Sequence, residues 1–161
     1  MSRPKRIAGH PYIGVQRYFV TMCTRDRVSI LTDNVAVTLV VDALVETALA
    51  HAMTIVVWCA MPDHVHLLVD GDHDGAEMTA FMKLAKQRSG FRFKQQFGRR
   101  LWQDGYHEHI LRGEERTADV IRYVIANPVR KRLVENVMDY PFWGSMRATR
   151  EELLASIDRP T

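Results

Sequence analysis

The chain has 161 residues, suiting a single domain, 1–161, and its 47 % apolar and 25 % charged residues are what a globular protein with one core carries. A formal net charge of +3 argues only weakly for a polyanionic partner. No apolar run approaches membrane-spanning length, and the basic start MSRPKRIAGHPY lacks the apolar stretch of a signal peptide, so no membrane partner is expected. Cys23 and Cys59 form no C-x-x-C pair, so a reduced, cytoplasmic protein is the simplest expectation.

In chain order, residues 1–15 read as a loose basic arm carrying Arg3, Lys5 and Arg6. RYFVTMCT (17–24) alternates and is rich in β-formers, so it predicts a strand. Residues 33–52 place apolar side chains at helical spacing behind Asp33, a suitable N-cap. MTIVVWCAMP (53–62) is a β-branched run expected to be a buried strand, and HVHLLVDG (64–71) its antiparallel neighbour across a tight turn at Pro62-Asp63. Residues 75–98 predict a long basic helix, interrupted near Ser89-Gly90. YHEHILR (106–112) is a short strand and RTADVIRYVIAN (116–127) a helix. Its end is set at Asn127, because the residue before a proline avoids the α region. The tail, 148–161, adds an aromatic turn just before it and a short helical segment. The order β-α-β-β-α-β-α is the α+β, ferredoxin-like (split βαβ) arrangement, an antiparallel sheet with helices on one face, the other face open, and one additional helix.

His64 and His66 stand one residue apart on a strand, so both point to the same face. Two such imidazoles can hold one divalent ion, or simply sit half-exposed on a solvent-facing side; a metal site needs a further donor. Tyr123 and Asn127 are four apart on the predicted helix and share a face, a phenol able to attack phosphorus and an amide oxygen suited to a hard cation. From Lys83 to Arg100 there are seven basic residues (Lys83, Lys86, Arg88, Arg92, Lys94, Arg99, Arg100) and no acid, interleaved with Phe91, Phe93 and Phe97. The phenylalanines are expected in the core and the cations on nucleic acid. His107 and His109 form a second H-x-H around Glu108 rather than an apolar residue and are not expected to hold metal.

H-U-H with Val65 as the bulky apolar U, followed by a helical tyrosine, resembles the HUH single-strand endonucleases. YFVTMCTRDR, WCAMPDHVHLLV, LWQDGYHEHILR, ADVIRYVIANPVRKRLV and YPFWGSMRA occur in the order of the single-tyrosine, IS200-like transposases, and resemble above all the REP-associated tyrosine transposases, over roughly residues 17 to 147. The resemblance implies that His64 and His66 are metal ligands, that Tyr123 is the nucleophile, and that Asn127 stands where insertion-sequence relatives carry a glutamine ligand. It implies Mg²⁺ or Mn²⁺, a 5′-phosphotyrosine intermediate, and single-stranded DNA with hairpins as partner, with the protein a monomer or homodimer. Arg130, Lys131 and Arg132, just past the tyrosine helix, are expected to hold the strand. Arg3, Lys5 and Arg6 are expected either to touch a hairpin or to form a solubilising tail. Asp63 is expected to brace its turn or support His64. Two other readings stay open: a catalytically silent single-strand-binding protein on a ferredoxin-like sheet, and a rolling-circle-type HUH nickase.

Overall fold

Among the described residues, five strands and four α-helices follow in the order β1 (Arg17–Cys23), α1 (Asn34–Ala50), β2 (Met53–Met61), β3 (His64–Gly71), α2 (Met78–Phe97), β4 (His107–Leu111), α3 (Thr117–Arg130), β5 (Trp143–Gly144) and α4 (Arg150–Ile157). The computed structural model describes residues 9–10, 12–112 and 117–158; Arg3, Lys5 and Arg6 lie outside the described residues. The sheet order is β4-β1-β3-β2-β5, every neighbouring pair antiparallel. The first four strands carry the split βαβ pattern that the sequence predicts. No helix among the described residues is long and apolar enough to cross a membrane.

Alternation decides the two faces. Tyr18, Val20 and Met22 of β1 and Val65, Leu67 and Val69 of β3 point to one side, where they pack with Val37, Val40 and Leu44 of α1 and Phe81, Met82, Ala85 and Phe93 of α2. Burying each such side chain stabilises the fold by about 1.5–3 kcal/mol. The opposite side of β2 and β3 is not open, contrary to the sequence expectation. Val57, Cys59, Met61 and Leu68 are covered there by Ile121, Val124 and Ile125 of α3, by Tyr140 and Trp143, and by Leu153 and Ile157 of α4. This is why β2 is apolar almost without alternation: it is buried on both faces. A register shift between Ile55 and Val57 turns Val56 and Val57 to this second side and sets the phase that brings Cys59 and Met61 under α3. Only the β1–β4 half of the second face stays accessible, with half-buried Phe19 and Thr21 and exposed His107 and His109.

Three further sequence expectations are corrected. Helix α2 runs unbroken through Ser89 and Gly90: Ser89 Oγ donates to Ala85 O (2.6 Å) and accepts from Trp102 Nε1 (2.9 Å), which satisfies both groups inside the core. It stops at Gly98, whose φ of +69° is the left-handed cap a glycine adopts without strain. Helix α3 does not end at Asn127 but carries Pro128 inside it to Arg130. The proline forfeits one backbone bond, yet it is buried, and Lys131 N still donates to Asn127 O (2.9 Å) and Leu133 N to Pro128 O (2.9 Å). The aromatic turn YPFWGSM contains the edge strand β5. Tyr140 Oη donates to Ala60 O (2.6 Å), and a Cβ on Gly144 would stand 3.1 Å from the Trp58 indole, tighter than ordinary contact.

At the far end of β3 from the histidines, Asp70 gathers three elements. Arg17 Nε and Nη2 donate to its two oxygens (2.5 and 2.7 Å), and Arg147 Nη1 adds a bond of 2.6 Å. Arg17 Nη1 also bonds Thr117 Oγ1, the first residue of α3. Burial alone would raise the Asp70 carboxyl, but the two guanidinium hydrogen bonds win and hold it below the usual carboxylate range. The start of α3 is thereby tied to the sheet, which fixes where the rest of that helix lies.

Candidate active site

The Pro62-Asp63 turn presents His64. Three backbone bonds clamp it from the segment after β1: Thr24 N donates to Asp63 O (3.0 Å), and Ile30 N and Leu31 N to Pro62 O (3.0 and 2.9 Å). His64 and His66 share the α3 side of β3, both buried, with their Nε2 atoms 3.1 Å apart. Imidazole–metal bonds of about 2.0–2.1 Å subtending roughly 90–110° put two nitrogens about 2.8–3.4 Å apart, so the pair is spaced as two ligands of one ion.

The outer nitrogens set the tautomers. Asp63 Oδ1 lies 2.6 Å from His64 Nδ1, and an ionised carboxylate only accepts, so His64 carries its proton on Nδ1 and offers the Nε2 lone pair. His66 Nε2–H then donates to it, and His66 Nδ1 accepts from the Thr21 hydroxyl at 2.9 Å. Thr21 can turn to accept instead, freeing the second Nε2 for a cation. Burial first, then the charge of its neighbour His64, pushes the His66 pKa down to about 3; burial also lowers His64, although Asp63 opposes this. Both rings are therefore neutral at pH 7, the form a metal needs. Asp63 is itself raised by burial, but the hydrogen bond from His64 and the charge of Arg27 leave it below the ordinary carboxylate range.

Helix α3 lays its polar edge beside this pair. The Tyr123 ring stands edge-on to His66 and to Phe19, at 5.8 Å between centroids in each case, and the Arg130 guanidinium lies 4.9 Å over it. Tyr123 is 40 % exposed, so its ring is held on one side and open on the other. Asn127 is 4 % exposed. Its Nδ2 donates to Tyr123 O (2.9 Å), which leaves Oδ1 as the atom able to coordinate. No three His, Cys, Asp or Glu side chains converge among the described residues. Asn127 carries its neutral amide oxygen on the same helix as Tyr123, one turn further on.

Arg27 belongs to this site and was not singled out from the sequence. Asp26 and Arg27 both have positive φ (56° and 55°), a conformation costing of order 1–3 kcal/mol in a non-glycine residue. It aims the guanidinium back at the sheet, with Nη1 2.7 Å from Cys23 Sγ and Nε 3.0 Å from Asp63 Oδ2. Cys23 pairs with His64 across the ladder, so Arg27, Asp63 and His64 form one chain of contacts. The only signal in the sequence was the charge-dense TRDR, which has no periodicity to interpret. Arg27→Gln is expected to loosen Asp63 and weaken Mn²⁺ binding about 10–100-fold, with cleavage recovering as metal is raised. A titration giving wild-type affinity would place Arg27 outside the site's support.

The predicted DNA-contacting cations divide. Lys131 and Arg132 are exposed past α3, and the charge of Lys131 reaches His64. On α2, Arg92 makes a two-pronged ion pair with Glu46 of α1, Arg88 Nη1 donates to Thr47 Oγ1 (3.4 Å), and Lys86 Nζ donates to Gln103 O (2.8 Å) and to Gly105 O. Lys83 and Lys94 are exposed and have no side-chain partner among the described residues. Of the phenylalanines, Phe93 is in the core as expected and Phe97 leans on it (centroids 4.5 Å apart), but Phe91 is 61 % exposed. His107 and His109 point to the accessible half of the second face, across β1 from His66 and Leu68.

Comparison with known proteins finds relatives of this chain. The transposase IS200-like family profile matches residues 14–127. A candidate REP-associated tyrosine transposase of Haemophilus influenzae is 30 % identical over 148 residues, covering 84 % of this chain and 83 % of that one. A REP-associated tyrosine transposase of Escherichia coli is 29 % identical over 89 residues, covering 53 % of this chain and 50 % of that one. A solved REP-associated tyrosine transposase bound to a REP hairpin has the same fold, with a TM-score of 0.75 at 23 % identity, covering 100 % of this chain and 92 % of that one. With more than half of its length matched by the profile, the chain belongs to the IS200-like family of transposases.

Proposed function

We propose that the protein cuts and rejoins single-stranded DNA next to hairpins, with Tyr123 as nucleophile and His64, His66 and Asn127 as the holders of Mg²⁺ or Mn²⁺. The observation that carries the reading is the Tyr123 ring packed against His66, whose Nε2 converges with that of His64 at 3.1 Å. Two nitrogens and one neutral oxygen leave room for phosphate and water and suit Mn²⁺ or Mg²⁺. A bound divalent ion would supply charge withdrawal from the scissile phosphate and stabilisation of the departing oxygen.

The protein's own groups do the rest. The Tyr123 oxygen attacks phosphorus as the phenol sheds its proton, the P–O3′ bond breaks, and the 3′ oxygen takes up a proton. The product is a 5′-phosphotyrosine, and attack by another 3′-OH reverses the step and joins strands. Arg130 lies over the ring and holds it in place. In this reading Lys131 and Arg132, both exposed, meet the strand's phosphates. Hairpin DNA is taken from the relative solved with a REP hairpin.

Incubation with hairpin-bearing single strands from the flanks of the gene, with Mn²⁺ or Mg²⁺, is expected to give a protein–DNA adduct that survives denaturing gels. Cleavage without an adduct would make water the nucleophile; binding with neither would favour the silent single-strand-binding reading.

A further inference from the structure

The second half of α2 and the loop 100–105 enclose a cleft of about 350 Å³, lined among others by Gln87, Phe91, Lys94, Trp102 and Gln103. It lies on the side of α2, apart from the histidine pair. Gln87, Phe91 and Lys94 recur at helical spacing along one rim. Phe91 is the most exposed aromatic residue of that helix, and Lys94 is exposed beside it. The floor is Trp102, 4 % exposed and held by its bond to Ser89; the missing side chain at Gly90 lets the cleft reach down to it.

The opposite rim is pre-set. Arg25 N donates to Leu101 O (2.8 Å), Gln103 N to Cys23 O (3.1 Å) and Arg100 Nε to Trp102 O (3.0 Å), while Lys86 ties Gln103 O and Gly105 O to the helix. Asp104, the one acid on the rim, is paired with Arg100. The cleft therefore offers an exposed aromatic face, two side-chain amides and a free ammonium, in surroundings with no uncompensated negative charge. An apolar partner surface would not explain the lysine or the amides. A nucleotide uses all three: a π-face to stack, base edges that donate and accept, and a phosphate. The loop is bonded directly to Cys23, which pairs with His64, so the rim of the cleft is fixed relative to the strand that carries the histidines.

We propose that this cleft takes one unpaired nucleotide of the hairpin-bearing strand. Its base stacks on Phe91, Gln87 and Gln103 read its edge, and Lys94 holds its phosphate. The proposal rests on the function proposed above.

The test measures affinity for hairpins with and without unpaired flanking nucleotides, and with single abasic sites in those flanks. Phe91→Ala is expected to weaken binding about 5–150-fold for flanked hairpins, the range of one lost base–aromatic stack, and to leave blunt hairpins unaffected. Phe91→Trp restores it, one abasic position mimics Phe91→Ala, and Lys94→Gln lowers the salt slope by about one. Equal affinity of wild type and Phe91→Ala for every oligonucleotide, or an equal loss on blunt hairpins, overturns the cleft while leaving the proposed function standing if wild type still forms its adduct. Failure of wild type to bind any hairpin overturns both.

Discussion

Tyr123→Phe is expected to abolish the covalent protein–DNA adduct, lowering cleavage at least about a thousand-fold, with DNA and metal affinity close to wild type. The substitution keeps the ring and so keeps its edge contacts with Phe19 and His66 and the stack under Arg130; only the attacking oxygen goes. Asn127→Ala removes a donor, not the nucleophile, so its weakened cleavage should recover partly with added metal. An adduct still formed by Tyr123→Phe would move the nucleophile elsewhere, with Tyr106 the next to test.

His66→Asn is expected to lower Mn²⁺ affinity more than about a hundred-fold and to change how stability follows pH. In the metal-free fold burial holds His66 neutral, with its pKa pushed down to about 3, whereas the unfolded ring titrates near 6.5. The unfolded state thus binds the extra proton as pH drops. Stability from this group is complete above pH 6.5 and falls by about 1.4 kcal/mol per pH unit below it, ending near pH 3. His64, also lowered, adds in the same direction. Asp63 and Asp70 act only at lower pH, so the window from about 4.5 to 6.5 isolates the histidines. Denaturant melts across that window should show a shallower slope for His66→Asn; an unchanged slope would mean that His66 is already charged in the fold.

The histidine pair was legible because a strand's period of two is local and strict: residues 64 and 66 share a face wherever the strand goes. The order β4-β1-β3-β2 followed from element order, since few topologies suit it. What escaped was non-local. The acid-free stretch 83–100 looked committed to DNA, but the acid that pairs with Arg92 is Glu46, on another helix. Pro128 reads as a stop by local sterics, and burial carries the helix past it. Arg27 reaches Asp63 only through a left-handed backbone that no residue pattern announces. The cover over β2 and β3 comes from the last quarter of the chain, whose apolar residues gave no hint of the face they would meet.

Tyr123 leans on His66 of its own chain, with α3 anchored by Arg17 at Thr117. A heterogeneous population of molecules, half lacking the histidines and half lacking the tyrosine, is therefore expected to stay inactive, because His66 and Tyr123 meet within one chain.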